Sequence, residues 1–294
     1  MVSNERLSLQ EREERFKTWL VAEYLKFGSV DEVYKIHRYN LPISYPSYQR
    51  LLDEWGIVKA AGPNGRLSET IAFLAQLAEE KISLEALYRR MPPSFRTSLA
   101  TMYRVYQYVK EGITRRAGTV LVVSPSNNPN KVLVGSDVST PRLEWGKPFG
   151  SLSFPIGFSR KSDSKREAIL RVLQQEVFTA QTIARSFPDE VIPDNPKPFL
   201  YIDVADILVS VYPLTLPVNL NSLESFSSFK LERHRFVEVS DIASGNLREE
   251  NLRAGVSEIA GAYQRYLLQE ETEQEAVPFI EKAMLNLRLA EVSV

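Results

Sequence analysis

Cysteine is missing from all 294 residues, which excludes disulfides, thiolate metal sites and cysteine nucleophiles. Histidine occurs twice, as His37 and His234, so far apart in the chain that a shared metal site is not expected. The sequence has no Walker loop, no glycine-rich dinucleotide fingerprint and no serine-nucleophile elbow, which removes the commonest nucleotide-binding and hydrolase signatures. The opening MVSNERLSLQEREERF is charged from the start and lacks the apolar core of an export signal. The most apolar later stretch, 199 to 220, is broken by Asp203, Asp206, Pro213 and Pro217, which a membrane span would not tolerate. A cytoplasmic protein with no membrane partner is the expectation.

What is present is a chain of 44% hydrophobic residues, long enough for two domains at roughly 100 to 200 residues each. Its net charge of −1 conceals an asymmetry: residues 1 to 116 carry 18 Lys and Arg against 14 Asp and Glu, and the remainder 18 against 23. The balances are +4 and −5, so the first part has the sign of a segment that meets phosphate backbones.

Up to about Gly112, apolar residues recur at three- and four-residue spacing, as in Phe16, Leu20 and Tyr24, which predicts helices. The texture changes near Gly118, where Thr119 to Val123 opens a series of short β-type runs. Further strands are expected at 131 to 135, 152 to 154, 199 to 211 and 235 to 239, around one helix from about Ser164 to Ala184. From Asn246 the pattern returns to helix, with Leu252, Val256, Ile259, Tyr263 and Leu267 in one stripe and Phe279, Met284 and Leu287 in another. The divisions are therefore 1–114, 115–245 and a C-terminal helical extension at 246–294.

Within the first division, Ser29 with Glu32 three residues on predicts a capped short helix, followed after a linker by a second helix with Ser44 as cap, Pro46 early and Gly56 as stop. Its first turn is expected to project Tyr45, Ser47, Tyr48, Gln49 and Arg50, as a helix-turn-helix recognition helix does. The arrangement recurs at 82 to 109, where Arg96, Ser98, Thr101 and Arg104 are candidate phosphate and base contacts. The tandem resembles the bipartite DNA-binding regions of some transposases, recombinases and regulators, which implies double-stranded DNA as a partner. A helical protein-binding domain is the other reading of the same pattern, with the tyrosines as packing residues.

In the second division, Trp145 to Gly157 followed by the Ser164 helix resembles the strand, turn, loop and helix of the Nudix family. Counting from Gly157, the signature glycine, places Asp163, Arg171, Val172, Leu173, Gln175, Glu176 and Phe178 at the remaining positions. The resemblance covers about residues 117 to 245, including the late strand and acidic turn at Lys230 to Ile242. It implies a helix whose glutamates would hold Mg²⁺ against a diphosphate. Here Val172 and Gln175 replace two of those glutamates and only Glu176 remains, while Asp163 shortens the loop acid. Arg171 could form a leftover ion pair with Glu176.

The reading is a multidomain protein, α then α+β: an all-α tandem helix-turn-helix region, a Nudix-like α/β/α sandwich and a helical tail. Its expected function is a DNA-binding regulator whose Nudix-like part senses a nucleotide-like ligand or supports a homodimer, with no catalytic residue, metal or cofactor. The alternatives are a Nudix hydrolase using Mg²⁺ in an atypical site on a nucleoside diphosphate derivative, and a protein-interaction scaffold.

Overall fold

The computed structural model describes residues 8–58, 85, 86, 89, 98, 100, 103, 116–142, 146–160, 162–204, 207–247, 251–271 and 278–282. The chain has N-terminal helices followed by a mixed α/β domain. The first helix, α1 (Leu9–Phe27), opens on a capping box between Ser8 and Glu11 and closes at Gly28, whose φ of +76° suits a residue without Cβ. It buries Leu20, Val21, Tyr24 and Leu25 against α2 (Val30–Ile36) and α3 (Tyr45–Glu54). Ser44 caps α3 as expected, accepting from the amide of Ser47. Ser29 makes no side-chain cap at α2, contrary to the Ser29/Glu32 expectation. Tyr48, expected on the projecting turn, is fully buried with its hydroxyl donating to the carbonyl of Leu20. The second helical unit lies almost wholly outside the described residues.

Two sheets build the mixed domain. In the larger, β4 (Ile156–Ser159), β1 (Arg116–Pro125), β6 (Ile207–Leu216), β5 (Leu200–Val204) and β8 (Phe279–Lys282) run in that order; in the smaller, β3 (Ser151–Ser153), β2 (Lys131–Asp137) and β7 (Leu231–Glu238) do. Strand β1 pairs in parallel with β6 and antiparallel with β4. The period-two alternation of β1 feeds two cores. Val120 and Val122 face a cluster completed by α6 (Val256–Glu271), and Leu121 and Val123 face one completed by α4 (Lys165–Glu176). Helices thus lie on both faces of the strands.

Three expectations need correction. The run 199 to 211 is not one strand but the antiparallel pair β5 and β6. The helix expected from Ser164 to Ala184 is two, because Val177 leaves helical geometry at φ −128° and Phe178 turns into the core, where α5 (Thr179–Ile183) restarts. Thr179 Oγ1 takes up the carbonyls of Gln174 and Gln175 that the break sets free. Phe279 is in strand β8 rather than helix, paired in parallel with Leu200, while Met284 and Leu287 lie outside the described residues. The C-terminal segment is therefore no separate tail: Val256, Ile259, Ala260, Ala262 and Tyr263 belong to the sheet's core. Among the described residues, no helix is long and apolar enough to cross a membrane.

Candidate functional site

Helix α4 is set by its own ends and by one close approach. Ser164 and Glu167 form the capping box that starts it. Val172 packs so near Gly157 that a Cβ there would lie 3.2 Å from Val172 Cγ2, a close approach that favours glycine at this point of β4. Val172 itself is buried in the core, where a carboxylate would have neither water nor partner.

Arg171 pairs with Asp163 at 2.6 Å and donates to the carbonyl of Phe158. The expected Arg171 and Glu176 pair does not form; Asp163 takes that role and also accepts from the amide of Arg160. The pair ties the loop before α4 to the helix body.

Around Glu176 the structure assembles charges that come from four separate segments. Asp137, at the end of β2, receives Arg253 at 2.8 Å and lies 3.5 Å from Lys147. Lys230, entering β7, donates to Gln175 Oε1 at 2.6 Å. His234 Nε2 lies 2.8 Å from the backbone carbonyl of Glu176. Burial pushes the Glu176 carboxyl up from 4.5 to about 7, with Lys230 opposing, Asp137 adding to the rise, and Arg253 and Lys147 opposing. Burial likewise pulls Lys147, Lys230 and Arg253 down, and His234 down, each against a partner that holds the proton on.

Lys147, Lys230 and Arg253 were not singled out in the sequence. They are isolated basic residues with no motif spacing, and only the fold brings them to one carboxylate. Among the described residues, no group of three or more His, Asp or Glu could hold a metal ion. The donor set does not fit Mg²⁺: Glu176, an Asp137 already paired with two cations, an amide bonded to an ammonium, and three positive side chains are the reverse of what a hard cation requires.

The N-terminal helices dock on the same helix. The Gln174 amide bridges the end of α3, accepting from the amide of Val58 at 3.1 Å and donating to the carbonyl of Gly56 at 2.8 Å. Arg185 stacks over Trp55 at 4.1 Å, and Ile183 packs into the helical core. Gly28 abuts Lys230: a Cβ at Gly28 would lie 3.4 Å from Lys230 Nζ.

Of the candidate DNA contacts, Tyr45 and Arg50 are exposed and Gln49 is half-buried on α3. Ser47 is engaged in the helix cap, where it meets both Ser44 and Arg50. Ser98 is exposed, and Arg96, Thr101 and Arg104 lie outside the described residues. Residues 8 to 58 carry 7 Lys and Arg against 8 Asp and Glu, so the positive excess of the N-terminal part is not on these helices.

No protein-family model and no curated protein matches the sequence. Solved structures do. A NUDIX hydrolase from Nitrosomonas europaea is 13% identical over 57% of this chain and 78% of its own, with a TM-score of 0.36. The MutT protein of Methanosarcina mazei Go1 is 13% identical over 55% and 98%, with a TM-score of 0.37. A C. elegans Ap4A hydrolase, in a binary complex, is 11% identical over 54% and 99%, with a TM-score of 0.36. Likeness of this degree carries no argument about chemistry, which rests on the side chains described above.

Proposed function

We propose that this chain is a Nudix-like protein that works by binding rather than by the usual metal-assisted hydrolysis, its mixed domain receiving a nucleotide-type ligand. The observation that supports this is the make-up of the α4 face: Val172 is core, Gln175 is bonded to Lys230, and Glu176 stands as the lone carboxylate. The test is incubation of the full chain with Mg²⁺ or Mn²⁺ and a panel of nucleoside diphosphate derivatives, alongside calorimetric binding of the same compounds with chelator present. Binding without turnover is expected; turnover abolished by Glu176→Gln would overturn the reading.

A second reading, hydrolysis of a nucleoside diphosphate derivative by an atypical site, is favoured by Glu176 itself. A buried carboxyl raised to about 7 is suited to giving and taking a proton near neutral pH. The turnover assay decides between the two.

Double-stranded DNA is the proposed partner of the helical part. The exposed Tyr45 and Arg50 in the N-terminal half of α3 favour it, and the charge of residues 8 to 58 does not, which shifts the expected contacts toward Arg96 and Arg104. Binding to a random duplex library should weaken steeply as salt rises and respond more to Arg104→Ala than to Arg50→Ala. No salt-dependent binding would remove DNA from the reading.

A further inference from the structure

We propose that the ammonium of Lys230 occupies, on the α4 face, the place that a divalent cation would hold, and so closes that face to metals. This rests on the Nudix-like register, in which positions 175 and 176 are those of metal-binding glutamates.

Lys230 bonds the side chain at the first of those positions and acts through its charge on the side chain at the second. Gln175 Oε1 accepts from Lys230 Nζ at 2.6 Å, and Lys230 is the leading counter-charge to Glu176. The amide orientation is fixed by chemistry, since the reverse would set an NH₂ donor against the ammonium. Its cost is visible on the other side, where the buried Gln175 Nε2 has no acceptor. Gln175 therefore gives up a donor in order to face an oxygen toward a cation, as a metal-binding glutamate would.

Lys230 is held in this position from behind and beside. Ser228 Oγ accepts from the amides of Lys230 and Leu231 and donates to the Gln175 carbonyl at 2.8 Å, locking the start of β7 to the end of α4. The Gly28 turn that ends α1 abuts Nζ, and a helix C-terminus favours a cation. Lys147 and Arg253 are drawn to Asp137, so that carboxylate is already matched by two cations and has no free charge to offer an incoming metal. A divalent ion would have to enter against three positive charges.

Mn²⁺ binding to the full chain, followed by electron paramagnetic resonance, tests the idea. The natural chain and Gln175→Glu should bind no Mn²⁺ that depends on Glu176. Lys230→Ala combined with Gln175→Glu should bind about one ion, roughly tenfold tighter or better, and lose it on adding Glu176→Gln. If that double variant is unfolded without metal, recovery of its far-ultraviolet circular dichroism on adding Mn²⁺ counts in favour, and failure to recover counts against. Glu176-dependent Mn²⁺ binding by the natural chain, equal binding by Gln175→Glu alone, or a folded double variant without gain would each overturn the proposal. Metal-dependent turnover by the natural chain would defeat the proposed function as well, whereas absence of turnover together with absence of Mn²⁺ gain in the folded double variant defeats this inference alone.

Discussion

Glu176 faces Lys230, Asp137, Arg253 and Lys147, with His234 at its carbonyl, and its carboxyl is raised from 4.5 to about 7 by burial. The folded protein holds that proton more tightly than the unfolded chain. The group's contribution to stability is thus complete below about 4.5 and is lost as pH rises through about 7, on the order of 3 kcal/mol. The lowered lysines act in the opposite sense at higher pH. Urea unfolding should therefore show Glu176→Gln gaining on the natural chain between about pH 5 and pH 8; a difference that does not change with pH would contradict the assignment. Val172→Glu, which restores the family residue, should not restore activity. It buries a carboxylate beside Gly157 and should cost about 3 kcal/mol or more, seen as a fall in Tm without turnover. At this scale the replacements at 172 and 175 were legible in the sequence because register fixes them. The partners of Arg171 and Glu176 were not, since Asp163 outcompetes Glu176 for the guanidinium and the cations arrive from distant segments.

The joint between α3 and α4 depends on one side chain. Replacing Gln174 by Leu leaves the Gly56 carbonyl and the Val58 amide without their partner and should cost about 1 to 3 kcal/mol, with faster hydrogen exchange at Val58 as the local sign. Gly28→Ala forces a side chain into the left-handed region where α1 ends and should cost about 1 to 2 kcal/mol by denaturant titration. The beginnings of α1, α3 and α4 were readable from Ser8, Ser44 and Ser164 in the structure's own terms, and for α3 and α4 the sequence announced them. The break at Val177 and the strand at Phe279 were not readable. Both follow from tertiary demand, Phe178 filling the core under α4 and Phe279 completing the edge beside β5, and neither demand leaves a local periodicity.

Across the whole molecule, the helices at 9–54 and the sheets that begin at Arg116 are fastened to each other through Gln174, Trp55 and Ile183. Such contacts join residues more than a hundred positions apart, where pattern reading has no purchase. Leu52→Ala in the helical core should cost about 2 to 5 kcal/mol, and if the fastening holds, Trp fluorescence and far-ultraviolet circular dichroism should shift together. The placement of α6 and β8 in the sheet's core has a further consequence, for the order of events during synthesis. Helices α1 to α3 contact one another locally and can pack as soon as they are made. The larger sheet cannot: β1 waits some ninety residues for its parallel neighbour β6, and the apolar face behind β5 stays uncovered until residues 256 to 282 have been added. A nascent chain halted near residue 245 would thus present helices α1 to α3 already packed beside an exposed, aggregation-prone sheet face, which residues 256 to 282 go on to shield.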